Sequence, residues 1–153
     1  MADEIIKKLE QEGKIAKQAA GIIQIEALLR ESIIDLNEAK KTVRLSDRAT
    51  YMLAYNAMLK AGRALLLTKG YRPVDGAQHK TVVEMTGALL GKNYVDLIGH
   101  FETMRRKRNE MTYEAGALLS SSEAEQAFSD AITLVKKILA EVKARNPQME
   151  LEF

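Results

Sequence analysis

Apolar residues return every three or four positions along most of this chain, a spacing that predicts helices. Ile22, Ile25, Leu29, Ile33 and Leu36 form one stripe, within a helix expected over about Ala19 to Lys41. Tyr51, Tyr55, Met58, Gly62 and Leu65 form a second stripe. Beside it runs a row of small residues, Ala54, Ala57, Ala61 and Ala64, that lets a neighbouring helix approach closely. Ser46 suits the N-cap of this helix, Asp47 its first turn and Lys69-Gly70 its end. A short helix precedes both, over about Asp3 to Glu12, with Ile5, Ile6 and Leu9 on one side and Gly13 as its stop.

Tyr71 to Gln78, YRPVDGAQ, reads as a loop because Pro73 and Asp75-Gly76 are turn formers. A fourth helix is expected from about His79 to Leu90, stopped by Gly91. Asn93, with Asp96 three residues on, reads as the cap of a fifth that ends by Gly116. Ser122 and Glu125 have the spacing of a capping box for a last helix reaching Arg145, closed by Pro147. The closing MELEF is either a free tail or a docking segment. These elements predict an all-α protein, an up-and-down bundle of four to five main helices. It forms one domain over residues 1–153: a short N-terminal helix at about 3–12, the bundle at about 19–145 and a tail at 146–153.

One position breaks the pattern. Leu97, Phe101, Met104, Arg108 and Met111 follow one another at steps of four, three, four and three, so they share a helix face. An arginine in the middle of that face is always charged and rarely buried without a partner, so it marks either an ion pair or a site. Its neighbours Arg105, Arg106 and Lys107 project elsewhere and read as solvated charges, with Glu102 placed to pair with Arg106 at i, i+4.

Composition removes several alternatives. The chain carries 23 basic and 21 acidic residues, a net charge of +2, so any nucleic-acid or membrane binding has to be local. It has no cysteine, which excludes disulfides, zinc-thiolate sites and a thiol nucleophile. No segment reads as a signal peptide, and the longest central stretch without a charge, Ala49 to Leu59, is far below the roughly 20 residues of a membrane span. The expectation is a soluble, cytoplasmic protein without membrane contact. No glycine-rich phosphate loop, nucleophile elbow or His-Glu-x-x-His occurs. His79 and His100 are preceded at the spacing of a bundle metal site by Gly76 and Leu97 instead of glutamate, so neither a metal nor a cofactor is expected. Both histidines read more simply as structural, and Tyr51 and Tyr55 as core.

Three segments together resemble a known family: AYNAMLKAGRALLLTKGYRP (Ala54 to Pro73), QHKTVVE (Gln78 to Glu84) and FETMRRKRNEMTYE (Phe101 to Glu114). They resemble the HEPN superfamily, the higher eukaryote and prokaryote nucleotide-binding domains, over about Ala27 to Val142. The resemblance implies a helical bundle that commonly forms a homodimer. It also implies, in many members, a metal-independent ribonuclease, often a toxin paired with a small nucleotidyltransferase antitoxin. In those members an Arg followed by a polar residue, and a His four to six residues further on, lie on a late helix, and two protomers bring both pairs into one cleft.

Arg108 and Asn109 match the first two positions here, and Tyr113 stands where the commonest spacing places the histidine. Arg108, Asn109 and Tyr113 are therefore the candidate catalytic set. Arg105, Arg108, Asn109, His79 and Lys80 are the candidate nucleotide- or RNA-binding set. Arg72 and His79 also satisfy the spacing, but in a Pro-Gly loop outside the late helix, and are read as a coincidence. Tyrosine, with an ordinary pKa near 10, is a poor base beside a histidine near 6.5. The leading expectation is accordingly a nucleotide- or RNA-binding protein with a degenerate ribonuclease motif. One alternative is an active ribonuclease in which Tyr113, Arg105, His79 or His100 supplies the missing group. The other is a non-catalytic dimeric interaction module in which Arg108 pairs with Glu114 or Asp96.

Overall fold

The computed structural model describes residues 2–74 and 76–152. Six helices follow in order: α1 Ala2–Gln11, α2 Ile22–Thr42, α3 Asp47–Thr68, α4 Gln78–Leu90, α5 Val95–Tyr113 and α6 Ser121–Arg145. The all-α bundle expected from the apolar spacing is the observed architecture. α3 runs through its centre, packed against α2, α6, α4 and α5. Tyr51, Tyr55, Met58, Gly62 and Leu65 are all buried, and each alanine of the neighbouring row has no exposed surface. The close approach those alanines permit is visible at Ala57, whose carbonyl accepts a 2.7 Å hydrogen bond from the Ser32 hydroxyl of α2.

Local chemistry fixes the helix ends. Ser46 caps α3 by accepting from the Ala49 N–H, and Gly70 and Gly91 take the left-handed conformation, at φ +87° and +88°, that a β-carbon disfavours. Two caps differ from expectation. The serine run offers two registers of the capping box, and α6 uses the earlier one. Ser120 accepts from Glu123 N–H at 3.0 Å, and Glu123 accepts from Ser120 N–H at 3.2 Å, in place of Ser122 with Glu125. In this register the Ser121 hydroxyl donates to the Asp47 carboxylate at 2.8 Å. Asn93 does not cap α5. A single 3₁₀ turn, Lys92–Tyr94, absorbs it, and Tyr94 takes the N-cap position without a side-chain hydrogen bond.

The Tyr71 to Gln78 loop also needs correction. Tyr71–Pro73 forms a strand, β2, that pairs antiparallel with β1, Ile15–Lys17, in the register Ile15 to Pro73, Ala16 to Arg72 and Lys17 to Tyr71. Pro73 is tolerated because it stands at the end of a two-stranded ribbon. Three-residue strands are too short for alternation to show in a sequence. Asp75, the expected turn former, lies outside the described residues. The C-terminal segment docks: Met149 and Leu151 are buried in the core, while Phe153 lies outside the described residues.

Gly62 marks the contact between α3 and α4. A β-carbon there would lie 2.7 Å from Val82 Cγ1 and 2.9 Å from Thr86 Oγ1, both on α4. An alanine in a helix is ordinarily favoured over glycine by about 1 kcal/mol. Overpacking at this contact costs about 1–3 kcal/mol and dominates. Gly62→Ala is therefore expected to lower the thermal midpoint, and a raised midpoint in a melting experiment would show that α4 yields at this point.

Candidate functional site

α5 presents Arg105, Arg108, Asn109 and Tyr113 at spacings of three, one and four, so all four lie along one side of the helix. The first turn of α4 faces them with Gln78, His79 and Lys80, and Arg63 reaches in from α3. Together with Gly76 and Ala77 these residues line a cleft of about 590 Å³. All six candidate site residues meet there. His79 and Lys80 owe their place to the ribbon and the turn after it, which bring the start of α4 against α5.

Arg108 is the unusual member. Its Nε is buried and has no hydrogen-bond partner among the described residues, and no carboxylate among them pairs with its guanidinium. The ion pair considered with Glu114 or Asp96 is not formed. A buried donor left in this state costs free energy unless a ligand accepts from it. The rest of the lining is suited to an anion. Among the described lining residues there are three arginines, one lysine and no carboxylate. α4 opens at Ala77, which has no side-chain acceptor for the first N–H groups, and its first turn contains no acid. A helix start of this kind attracts negative charge.

Arg105 is not the solvated charge that its position on the helix suggested. It is half-buried and forked onto Glu102, with Nε donating at 2.6 Å and Nη2 at 2.9 Å. The same carboxylate accepts from Arg106 Nε at 3.1 Å, and the hydrogen bond from Arg105 is the main cause that holds Glu102 below the usual carboxylate range. Lys107 lies 3.5 Å from Glu123. Of the three residues read as solvated charges, only Arg106 is mainly in water. Arg105 shapes one wall of the cleft with its charge largely matched, which leaves Arg108, Arg63 and Lys80 as the cations free of that partner.

His79 is anchored from below. Its Nδ1 shares a 3.0 Å hydrogen bond with the Tyr55 hydroxyl, and the Tyr55 ring packs near both His79 and Phe101, with centroids 5.8 and 5.9 Å away. Tyr51 and Tyr55 are core residues, as their spacing indicated, but Tyr55 is also the pedestal of the site. Burial pushes its phenol up to about 12, so it keeps its proton. Burial first, then the charges of Arg108, Arg63 and Arg105, hold His79 below its ordinary value of 6.5. The imidazole is therefore neutral near pH 7. His100, by contrast, pairs with Asp130 on α6 at 3.1 Å and does not line the cleft. Arg72 lies on β2 and lines a neighbouring cavity, so its match in spacing with His79 does not bring the two into one site.

The depressed His79 has a consequence for stability. Above pH 6.5 the imidazole is neutral in folded and unfolded chains alike. Below it the unfolded chain takes up a proton that the folded one resists, so stability falls as pH drops from about 6.5 through the lower folded value. His79→Gln is expected to flatten this decline in chemical denaturation between pH 7 and pH 5, whereas an unchanged slope would assign it to other groups.

Arg63 and Gln78 were not singled out from the sequence. Arg63 had a weaker signal than Arg108: it is a cation beside, and not on, the apolar stripe of the most buried helix.

The fold and cleft define an all-helical bundle with a cationic pocket between its fourth and fifth helices. The sequence pattern of the HEPN domain matches residues 25–144, and the chain belongs to the HEPN family. No curated protein matches it significantly. Among the described residues no helix is long and apolar enough to cross a membrane, and no group of three or more potential metal ligands gathers.

Proposed function

We propose that the cleft binds the phosphate groups of RNA or a nucleotide, with Arg108 as the principal contact. The observation that carries this reading is Arg108, whose buried Nε has no partner among the described residues and which lines a cleft without a carboxylate among its described lining residues. Arg108 and Asn109 take the non-bridging oxygens, the start of α4 adds backbone donors, and Lys80 and Arg63 supply charge at the rim. A second copy of the chain, as family resemblance suggests, would set two such clefts together, and a nucleotidyltransferase in a toxin-antitoxin pair is the partner that the resemblance favours. The test is equilibrium binding of RNA across a salt series. Affinity should fall steadily as salt rises, because each neutralised phosphate releases counterions. Binding that ignores salt would rule the reading out.

One observation supports a second reading, metal-independent ribonuclease activity. His79 lines the cleft with Arg108 and is held in the neutral form that a general base requires. In this reading His79 takes the proton of the attacking ribose 2′-hydroxyl as that oxygen bonds to phosphorus, the bond from phosphorus to the 5′-oxygen breaks to leave a 2′,3′-cyclic phosphate, the departing 5′-oxygen takes a proton from water, and Arg108 stabilises the charge that develops on the phosphate. His79→Gln should then abolish cleavage and leave binding nearly intact. Absence of cleavage by the wild-type protein across a broad RNA panel would exclude this activity and leave the binding function standing.

A further inference from the structure

Beside the Arg108 cleft lies a second cavity of about 320 Å³, and the two share Arg63 and Gln78 as a common wall. The Arg63 Nη2 donates to the Gln78 side-chain oxygen at 3.3 Å, so the partition is a hydrogen-bonded pair. The far side is built from Gln18, Gln24, Arg72 and Pro73, with Leu28 and Leu67 supplying apolar surface. Its frame is tied: Gln18 N–H donates to the Gly70 carbonyl at 2.8 Å, Val74 N–H to the Lys14 carbonyl at 3.0 Å, and the ribbon fixes Arg72 opposite Ala16.

The two cavities differ in chemistry. The first presents cations and a helix start and is suited to phosphate. The second presents three carboxamides, each with two donors and an acceptor, around leucine and proline. Such a lining fits a flat group with an apolar face and an edge of alternating donors and acceptors. A nucleobase has that form, glutamine amides are common readers of base edges, and a guanidinium such as that of Arg72 can stack on the ring.

We propose that this second cavity is a nucleobase subsite, which takes the base adjoining the phosphate held at Arg108. The ligand is then a single-stranded polynucleotide with one base splayed out, because a base within a duplex cannot offer its pairing edge. The inference rests on the phosphate reading of the first cleft, and its test separates the two.

Gln24 and Arg72 are exposed, so the double variant Gln24→Ala/Arg72→Ala is expected to fold normally. Fluorescence anisotropy would be measured with short labelled homopolymeric RNA strands of each base, with matched DNA strands and with a duplex. Inorganic pyrophosphate would serve as competitor. The double variant should weaken single-strand binding by about tenfold, the scale of one lost base contact, and narrow the differences between bases. Displacement by pyrophosphate should keep its wild-type inhibition constant, since the phosphate site is untouched. The same loss on DNA strands also supports the subsite and identifies the base as what is read. Unchanged strand affinity in the double variant, with binding still lost in Arg108→Ala, would overturn the subsite and leave the phosphate site standing. A duplex bound as tightly as its separate strands would also overturn it. No binding of any strand by the wild-type protein would overturn both readings.

Discussion

Replacing Arg108 with alanine is expected to remove most of the RNA or nucleotide affinity while leaving the fold about as stable as before. A charge-assisted hydrogen bond contributes about 1.5–3 kcal/mol, and a bidentate arginine at the centre of a cleft supplies more than one, so a loss of at least tenfold to a hundredfold is the expected scale. Stability moves differently because of what surrounds the side chain. Its Nε is buried without a partner among the described residues, and Arg63 and Arg105 line the same cleft, so the alanine variant sheds an unsatisfied donor and some repulsion. Lost packing of the aliphatic stem works against that gain. A thermal midpoint within a few degrees of wild type, together with a large loss of binding, is the signature of a residue kept for its ligand. A sharp fall in the midpoint with unchanged binding would make Arg108 structural. The variant carries an internal check: removal of one of the charges that depress His79 should raise that histidine toward 6.5.

The second large effect concerns Phe101. Its side chain is fully buried and packs its ring against Tyr55 at 5.9 Å with a 58° tilt. Truncation of such a residue to alanine costs about 3–5 kcal/mol in lost burial and cavity formation. For a domain of this size that corresponds to a fall of roughly 6–20 °C in the thermal midpoint. The effect should reach the site, because Phe101 packs against the Tyr55 ring whose hydroxyl holds His79. Phe101→Leu, which refills much of the cavity, should recover most of the midpoint. If Phe101→Ala melts within a degree or two of wild type, the α3–α5 contact does not support the site.

The parts of the fold that could be read from sequence are those decided within a few residues. The α3 stripe, its Ser46 cap and the glycine stops at Gly70 and Gly91 all follow from spacing or from backbone conformation. The ribbon of Ile15–Lys17 with Tyr71–Pro73 was not legible, because its pairing joins segments more than fifty positions apart and neither strand is long enough to alternate. The α6 cap was legible as a motif and not as a register, since Ser120, Ser121 and Ser122 offer more than one start and a tertiary contact from Asp47 accompanies the chosen one.

The site divides in the same way. Arg108 stood out because a charge on an apolar face is anomalous in one dimension, and Asn109 and Tyr113 came with it through resemblance. His79 could be named only as one of two histidines. Its selection over His100 depends on the ribbon and turn that carry α4 back against α5, and on the Tyr55 hydroxyl beneath it. The matched charge of Arg105 is local, since Glu102 is three residues away, yet one carboxylate had two arginines in reach and the sequence reading paired it only with Arg106. The structure joins it to both.

Arg108 carries a buried donor without a partner among the described residues at the edge of a cationic cleft, and the proposed function rests on an anion pairing with it. The most direct test is the nuclear magnetic resonance signal of its Nε–H group, assigned by comparison with Arg108→Lys and followed as a short RNA strand is added. This signal is expected to move strongly, while those of Arg105 and Arg106, already held by Glu102, move little. A bound RNA that leaves the Arg108 signal where it was would contradict that pairing.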